Sequence, residues 1–308
     1  MIPAHPLPNY KEHAISTGKH RKYDDFSYTK VKFIAKGSHK VCWEAKFESG
    51  KKAVLKQFFQ DKDFKELLHY LKVIDTLKGH PAIAVTESTF WTKWYAGYKF
   101  FQIQTLYTCD LLTAVNNDLF LHNRVLVLIA LRQLAEGLFY IHGKGVVVKD
   151  VKLDNIYLTY SLRDAQFVYG DFGGADLPRE RSSLKTASLH YASPQRLNGE
   201  ISTASDDVYS LGICFAAIQK TSRFFRFPVT IAKQDRTNMY DAGNTFIREI
   251  VLPKYRPIIT SMLLVTRMHR SSAKEVNKKV HELKTHLTMA EDVNGKVREI
   301  IHKRSHSF

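Results

Sequence analysis

Two short segments of this chain constrain its fold and chemistry more than any other feature. The first, Val148-Lys149-Asp150-Val151-Lys152-Leu153-Asp154-Asn155, offers a carboxylate, a lysine two residues later and an asparagine five residues later. The second, Asp171-Phe172-Gly173, places another carboxylate sixteen residues after Asn155. Amide and carboxylate oxygens are the ligands that Mg²⁺ prefers. The two segments therefore offer hard oxygen ligands for a divalent cation.

The composition of the chain is that of a globular protein. Its 308 residues are 44% hydrophobic and 12% aromatic, which suffices for a buried core. The strongest apolar run, Val125 to Leu131, is too short to span a bilayer, and the N-terminus has no apolar signal region. Cys42, Cys109 and Cys214 form no C-x-x-C pair, so neither a disulfide framework nor a zinc site is indicated. We expect a soluble, unsecreted protein with no membrane partner, in a reducing compartment.

The net charge of +16 and the pI near 9.6 favour polyanionic partners such as ATP, acidic proteins or nucleic acid. A merely soluble basic surface is the alternative, because no DNA-binding motif is recognisable. The net charge of the chain indicates the sign of a partner's charge but not the partner's identity. Basic residues cluster near the start at Lys19, His20, Arg21 and Lys22, and in the tail at Lys296, Arg298, His302, Lys303 and Arg304.

The hydrophobic pattern divides the chain into four parts. Residues 1–28 are polar and predict an extended or disordered N-terminal extension. Residues 29–106 predict an antiparallel sheet with one helix, and residues 107–290 predict a mainly helical region. Residues 291–308 form a basic tail. The predicted strands are Val31–Ala35, Val41–Phe47, Lys52–Phe58, Val85–Phe90, Tyr98–Gln104, Asn155–Thr159 and Gln166–Tyr169; the predicted helices are Asp61–Lys78, Asn123–Gly143, Ala204–Gln219, Thr245–Ile250, Lys254–Arg267 and Ala273–Thr285.

The two opening segments resemble the H-R-D-L-K-x-x-N and D-F-G motifs of eukaryotic-type protein kinases. Tyr191 to Gln195 resembles the Y-x-A-P-E end of an activation segment, and Asp207 to Gly212 resembles D-V-W-S-x-G. Arg270 resembles the arginine that pairs with the glutamate of A-P-E, which is Gln195 in this chain. The resemblance covers residues 30 to 285. It implies an α+β, two-lobed kinase fold with an antiparallel β N-lobe containing one helix, and a mainly helical C-lobe.

The resemblance also implies roles for individual residues, with ATP and Mg²⁺ as cofactors. Asp150 would accept or orient the substrate hydroxyl proton, Lys152 would contact the γ-phosphate, and Lys56 would hold the α- and β-phosphates. Asn155 and Asp171 would bind the metal. Glu66 is the candidate partner of Lys56, with an ordinary exposed glutamate as the alternative. The implied nucleotide-binding residues are Ala35, Gly37, Ser38, Cys42, Ala53, Lys56, Glu66, Asp110, Asn155 and Asp171.

The glycine-rich loop departs most from the kinase pattern. Against G-x-G-x-x-G-x-V, residues 35–42 keep only Gly37, so Cβ atoms restrict the approach of the backbone to the phosphates. Lys36 and Lys40 would offset the loss by placing cations near the triphosphate, unless both point to solvent. This departure keeps a pseudokinase that acts as a binding module as the alternative function. A small-molecule kinase of related fold is a further alternative, which the activation-segment motifs disfavour.

Lys152 together with Ser188, three residues before Tyr191, resembles the serine/threonine branch. The divergent loop, the pair Val148-Lys149 in place of His-Arg and the compact size resemble viral kinases, most closely the late protein kinases of baculoviruses and granuloviruses. That resemblance implies an arginine-rich DNA-packaging protein as substrate, and a location in host cytoplasm, nucleus or virion. A homodimer stays open. Lys149 lacks the fork of arginine, so we expect little dependence on phosphate at Ser182, Ser183 or Thr186.

Overall fold

The computed structural model describes residues 20–23, 26–36, 40–47, 49–58, 64–94, 97–121, 123–160, 164–177, 188, 190–219, 248 and 251–283. The chain forms two compact units. The first comprises Met1–Ile74 and Ala84–Leu106, and the second comprises Asp75–Ile83 and Tyr107–Phe308. The predicted helix Thr245–Ile250 lies almost wholly outside the described residues, and the tail 291–308 lies entirely outside them.

In its described residues, the first unit is a six-stranded antiparallel sheet with one helix. The strand order is β1-β2-β3-β4-β6-β5. The strands are β1 (His20–Tyr23), β2 (Phe26–Lys36), β3 (Lys40–Phe47), β4 (Lys52–Phe58), β5 (Thr86–Trp94) and β6 (Gly97–Thr105), and the helix is α1 (Phe64–Leu77). The sheet begins at His20, within the predicted extension. The edge strand β1 is polar, so hydrophobic alternation could not reveal it.

One face of this sheet carries a hydrophobic core. Phe90 and Phe101 stack with ring centroids 5.0 Å apart, and period-2 alternation places every second side chain of β4 on this face. The opposite face meets α1, where the Tyr70 hydroxyl donates to Gln102 Oε1 at 2.7 Å. The buried cluster consists of Tyr28, Ala45, Ala53, Leu55, Phe90, Phe101 and Ile103.

The second unit is mainly helical, with a small antiparallel sheet of order β7-β8-β9. Its arrangement, with that of the first unit, confirms the predicted α+β fold of an antiparallel β N-lobe and a helical C-lobe. Its elements are β7 (Cys109–Asp110), α2 (Leu111–Asn116), α3 (Arg124–Gly143), β8 (Ile156–Tyr160), β9 (Ala165–Tyr169), α4 (Pro194–Leu197), α5 (Ala204–Ile218), α6 (Arg256–Met262) and α7 (Ala273–His281), with 3₁₀ turns at Leu153–Asn155, Pro253–Tyr255 and Arg267–His269.

Helix α3 is the central element of the second unit. By length and composition alone it would be able to cross a membrane, but it packs against β9 and α7. Asn123 caps its N-terminus, where Oδ1 accepts from the backbone N–H of Leu126 at 2.8 Å. Its apolarity is that of a helix buried within a domain core. Its buried residues are Leu126, Val127, Leu128, Ala130, Leu131, Leu134, Ala135, Gly137, Leu138 and Ile141.

Candidate active site

A charged hydrogen-bond network joins three polar side chains of the 148–155 segment to Ser188. Lys152 Nζ lies 2.8 Å from Asp150 Oδ2 and donates to Ser188 Oγ at 3.1 Å. Ser188 Oγ in turn donates to Asp150 Oδ1 at 3.3 Å. The side chains of Asp150 and Lys152 are both 20% exposed, so this carboxylate is accessible to a substrate hydroxyl while its orientation is fixed.

Asn155 is oriented by the same carboxylate. Its Nδ2 donates to Asp150 Oδ2 and to the Asp150 carbonyl, both at 3.0 Å. These two bonds use both amide hydrogens, so Oδ1 is the atom of the side chain that can ligate a cation. Asn155 is buried at 7% exposure, and this burial limits the alternatives open to its side chain.

The β8–β9 hairpin brings Asp171 next to Asn155. Ile156 pairs with Tyr169, and the backbone N–H of Gly170 donates to the Asn155 carbonyl at 2.8 Å. Asp171 has φ of 55°, a left-handed conformation that is strained for a residue with a Cβ.

The residues present fit a hard divalent cation. Within the described ranges no three His, Cys, Asp or Glu side chains cluster as a metal site. One amide oxygen and one carboxylate are instead the sparse protein ligand set that Mg²⁺ uses when phosphate oxygens and waters complete its shell. Asn155 and Asp171 would hold this ion.

Helix α3 fixes the strand that precedes Asp171. Gln133 Oε1 accepts from the Phe167 N–H at 2.7 Å, and its Nε2 donates to the Ala165 carbonyl at 2.9 Å. The Tyr169 hydroxyl donates to the Leu134 carbonyl at 2.7 Å, and burial raises the pKa of this phenol far above its ordinary value. The strand is therefore held to the helix by side chains that remain neutral.

Asp207, in the first turn of α5, anchors the backbone of the 148–155 segment. Its Oδ2 accepts from the Val148 N–H and its Oδ1 from the Lys149 N–H, both at 2.8 Å. His142 Nε2 lies 3.0 Å from Oδ2. The Asp207 side chain is 2% exposed, so the carboxylate is a fixed scaffold for the two residues before Asp150.

In the first unit, Lys56 lies on β4 and is buried at 2% exposure. Cys42 of β3 and Gln102 of β6 are its cross-strand partners, and Ala35 of β2 pairs with Cys42. These side chains thus form one row across the sheet.

Ala53 does not join this row. It is fully buried in the hydrophobic cluster, on the opposite face of β4 from Lys56. Residues two positions apart in a strand lie on the same face. Val54 therefore shares the face of Lys56. The structure therefore brings Val54, and not Ala53, to the side of Lys56.

The remaining predicted nucleotide-binding residues are placed only in part. Glu66 lies in α1, but its side chain is outside the described residues, and so are Gly37 and Ser38. Asp110 is the N-cap of α2, where its Oδ1 accepts from the Thr113 N–H at 2.7 Å. A helix cap is thus the contact that the structure gives this carboxylate.

The end of the activation segment is held by a cluster that the motifs reveal only in part. Arg270 Nη2 donates to Gln195 Oε1 at 3.0 Å, as expected from the sequence. The charge partner is Asp206, which lies 2.8 Å from Arg267 Nη2, 3.5 Å from Arg270 Nη1 and 2.6 Å from the Ser193 hydroxyl. Burial alone would raise the pKa of Asp206, but the hydrogen bonds from Ser193, Arg267 and the Thr203 backbone, with the charge of Arg267, outweigh it and lower the pKa.

Sequence reasoning missed several residues that contact the site. Asp206 neighbours the recognised Asp207 but belongs to no motif, and His142 precedes the motif by six residues. Asp176 and Arg196 both contact Lys149. Each is an ordinary polar residue in a chain rich in them, so no local signal distinguishes it.

Comparison with known proteins identifies the family. The family model described as protein kinase domain matches residues 28–281. A Wee1-like protein kinase of Oryza sativa subsp. japonica is 28% identical over 236 residues, covering 73% of this chain and 40% of that protein. NUAK family SNF1-like kinase 2 of Rattus norvegicus is 27% identical over 215 residues. The match covers 68% of this chain and 33% of that kinase.

A third similar protein is the serine/threonine-protein kinase pkn2 of Myxococcus xanthus, 37% identical over 90 residues, which are 27% of this chain and 11% of that protein. This chain thus spans less than half the length of each of these relatives. The family model covers most of the chain, and its motifs coincide with the networks around Asp150 and Asp207. The chain therefore belongs to the protein kinase domain family.

Proposed function

We propose that this protein is a serine/threonine protein kinase that transfers the γ-phosphate of Mg·ATP to protein hydroxyls. The observation that carries the proposal is the network of Asp150, Lys152, Ser188 and Asn155, with Asp171 beside it. A solvated surface loop would not bury Asn155 or fix its amide by two hydrogen bonds to Asp150.

Each side chain would contribute a separate part of the chemistry. Asp150 Oδ1 or Oδ2 would accept a hydrogen bond from the substrate hydroxyl and orient its oxygen for attack. Lys152 would neutralise charge on the transferring group, and Lys56 would bind phosphates at the start of the reaction. Mg²⁺ held by Asn155 and Asp171 would supply further neutralisation of phosphate charge. Most of the catalytic effect would come from positioning and electrostatics.

The test is ATP turnover with a panel of protein substrates. Asp150→Asn and Asp171→Asn should each lower turnover by at least ~10²-fold, because each removes a positioned charge, while the fold stays intact. Asp75→Asn is the matched control, since its ion pair with Lys78 is largely exposed. Turnover within about twofold of wild type in either site variant would refute the assigned roles. Absence of wild-type turnover would favour the binding-module alternative that the poor glycine loop suggests.

Lys152 and Ser188 support serine or threonine, rather than tyrosine, as the hydroxyl that accepts the phosphate. Their bonds to Asp150 support an aliphatic hydroxyl as acceptor. Phosphoamino-acid analysis should therefore yield phosphoserine or phosphothreonine, and predominant phosphotyrosine would contradict this assignment. The name of the similar Myxococcus protein agrees with this branch.

The substrate and setting are proposed from the sequence resemblance. We propose a viral kinase of the baculovirus and granulovirus late type, acting on an arginine-rich DNA-packaging protein inside the host cell or in the virion. The charge of +16 supports association with nucleic acid. Turnover on an arginine-rich peptide should exceed turnover on an acidic peptide of equal length, and DNA affinity should fall steeply with salt. A homodimer would appear as doubled mass in sedimentation.

A further inference from the structure

Lys149, immediately before Asp150, is held at three points. Its backbone N–H donates to Asp207, its carbonyl accepts from Arg196 Nη1 at 2.9 Å, and its Nζ lies 3.0 Å from Asp176 Oδ1. Its φ is 67°, a left-handed conformation that persists only when surrounding contacts enforce it. Lys149 is thus a junction that fixes the backbone leading into Asp150.

The ion pair between Lys149 and Asp176 is buried. The two side chains are 1% and 8% exposed. Breaking a buried pair by removing one partner is strongly unfavourable, because the remaining charge is left without compensation. The pair therefore determines where both segments can lie.

Asp176 is itself fixed in the stretch that follows Asp171. Its backbone N–H donates to the Val147 carbonyl at 2.8 Å, and its carbonyl accepts from the Val147 N–H at 3.0 Å. The Asp176 carboxylate thus reaches Lys149 from a backbone that is already hydrogen-bonded to Val147. Val147 lies two positions before Lys149. One carboxylate connects the Asp171 segment to the Asp150 segment.

This arrangement leaves Lys149 unsuited to receive a phosphate. A phosphorylated side chain carries about −1.5 to −2 charges, and it would have to approach an ammonium that Asp176 already neutralises at 3.0 Å. Two anions close together in a buried site repel each other. A phosphate would reach Lys149 Nζ only if Asp176 left.

Building on the proposed kinase function, we propose that Asp176 is a positioning residue, the internal counter-ion of Lys149. With Arg196 on the Lys149 carbonyl, it holds Asp150 and the Asp171 segment in the working arrangement. Transfer then requires no phosphate at Ser182, Ser183 or Thr186, which lie outside the described residues.

The first experiment measures turnover in the full chain. Phosphatase-treated wild type, and a Ser182→Ala, Ser183→Ala, Thr186→Ala variant, should stay within about tenfold of the phosphorylated protein. Asp176→Asn should lower kcat at least ~20-fold, because Asp150 and the segment that carries Asp171 would both lose their shared anchor. The double variant Lys149→Met, Asp176→Leu, which removes both charges, should recover most of that loss.

Glu200→Gln is the matched control for loss of one carboxylate. Glu200 pairs with Arg267 at 3.2 Å in the same unit, but its side chain is 49% exposed. Exposed pairs contribute little, so its kcat should stay within about twofold of wild type. If Glu200→Gln lowered kcat as much as Asp176→Asn does, the proposal would be overturned. The loss of any carboxylate in this unit would then have the same effect.

Amide hydrogen exchange separates this inference from the kinase assignment. Asp176→Asn should speed exchange at Val147 and at residue 176 at least ~10-fold, and the double variant should restore slow exchange. A protein without turnover that still shows this pattern would refute the proposed function and support the counter-ion. Unchanged kcat and exchange in Asp176→Asn, or loss of turnover after phosphatase treatment, would overturn the inference.

Discussion

Replacing Asp207 with asparagine should destabilise the second unit and displace the catalytic segment. Its two carboxylate oxygens accept from the Val148 and Lys149 backbones at 2.8 Å. Asparagine keeps the shape but retains one acceptor oxygen, so one of these N–H groups would face an NH₂ donor. Val148 and Lys149 are 2% and 4% exposed, so water cannot replace the missing acceptor.

The magnitude follows from these contacts. A buried donor left unsatisfied costs about 1–3 kcal/mol, and the second bond, now to a neutral acceptor, weakens by about 1 kcal/mol. We therefore expect Asp207→Asn to lower the free energy of unfolding by about 2–4 kcal/mol. Turnover should also fall, because Lys149 loses one of the contacts that enforce its left-handed backbone.

Urea unfolding measures this change as a shift of the transition midpoint at constant slope. Asp75→Asn provides the control, because its pair with Lys78 is 67% exposed on the aspartate side, and its midpoint should move by less than the equivalent of about 0.5 kcal/mol. If Asp207→Asn unfolded within about 0.5 kcal/mol of wild type, the two backbone bonds would not support the segment as argued.

Three further predictions concern the surroundings of the site. Gly170→Ala should destabilise the fold by about 1–3 kcal/mol in thermal unfolding, because the added Cβ would lie 2.1 Å from the Tyr157 ring; Tyr157→Leu in the same chain should recover part of the loss. Gln195→Glu should not stabilise the fold despite restoring the motif, because Gln195 Nε2 donates to the Val265 carbonyl at 2.6 Å and a carboxylate would oppose it; a higher urea midpoint would contradict this. Because the pKa of Asp206 is lowered in the fold, its ionised form stabilises the protein above the unfolded-state pKa near ~4, and this contribution is lost as the pH falls through the folded pKa. Between about pH 5 and pH 2, wild type should therefore lose more stability than Asp206→Asn, and equal losses would refute the argument.

The resemblance of two motifs to those of protein kinases predicted the family and the fold class, and the family model that matches residues 28–281 confirms the family. Hydrophobic periodicity likewise predicted α3 and the strands of the first unit. Strand β1 was missed, since a polar edge strand has no apolar alternation. Ala53 was predicted to bind nucleotide with Lys56 but lies in the buried cluster on the other face of β4, because the motif alone does not state which residues share a strand face.

The sequence by itself thus determined the family, the fold class and the residues of the central network. Only the tertiary structure decided which charges compensate one another. Asp206 faces Arg267 and Arg270, and Asp176 faces Lys149, through contacts across 27 to 64 positions of the chain. Pairings at such separations depend on how helices and strands pack, and in a chain with 46 basic and 30 acidic residues many alternative pairs have the same local sequence. Burial selects among them, because inside the fold only a compensated charge is stable.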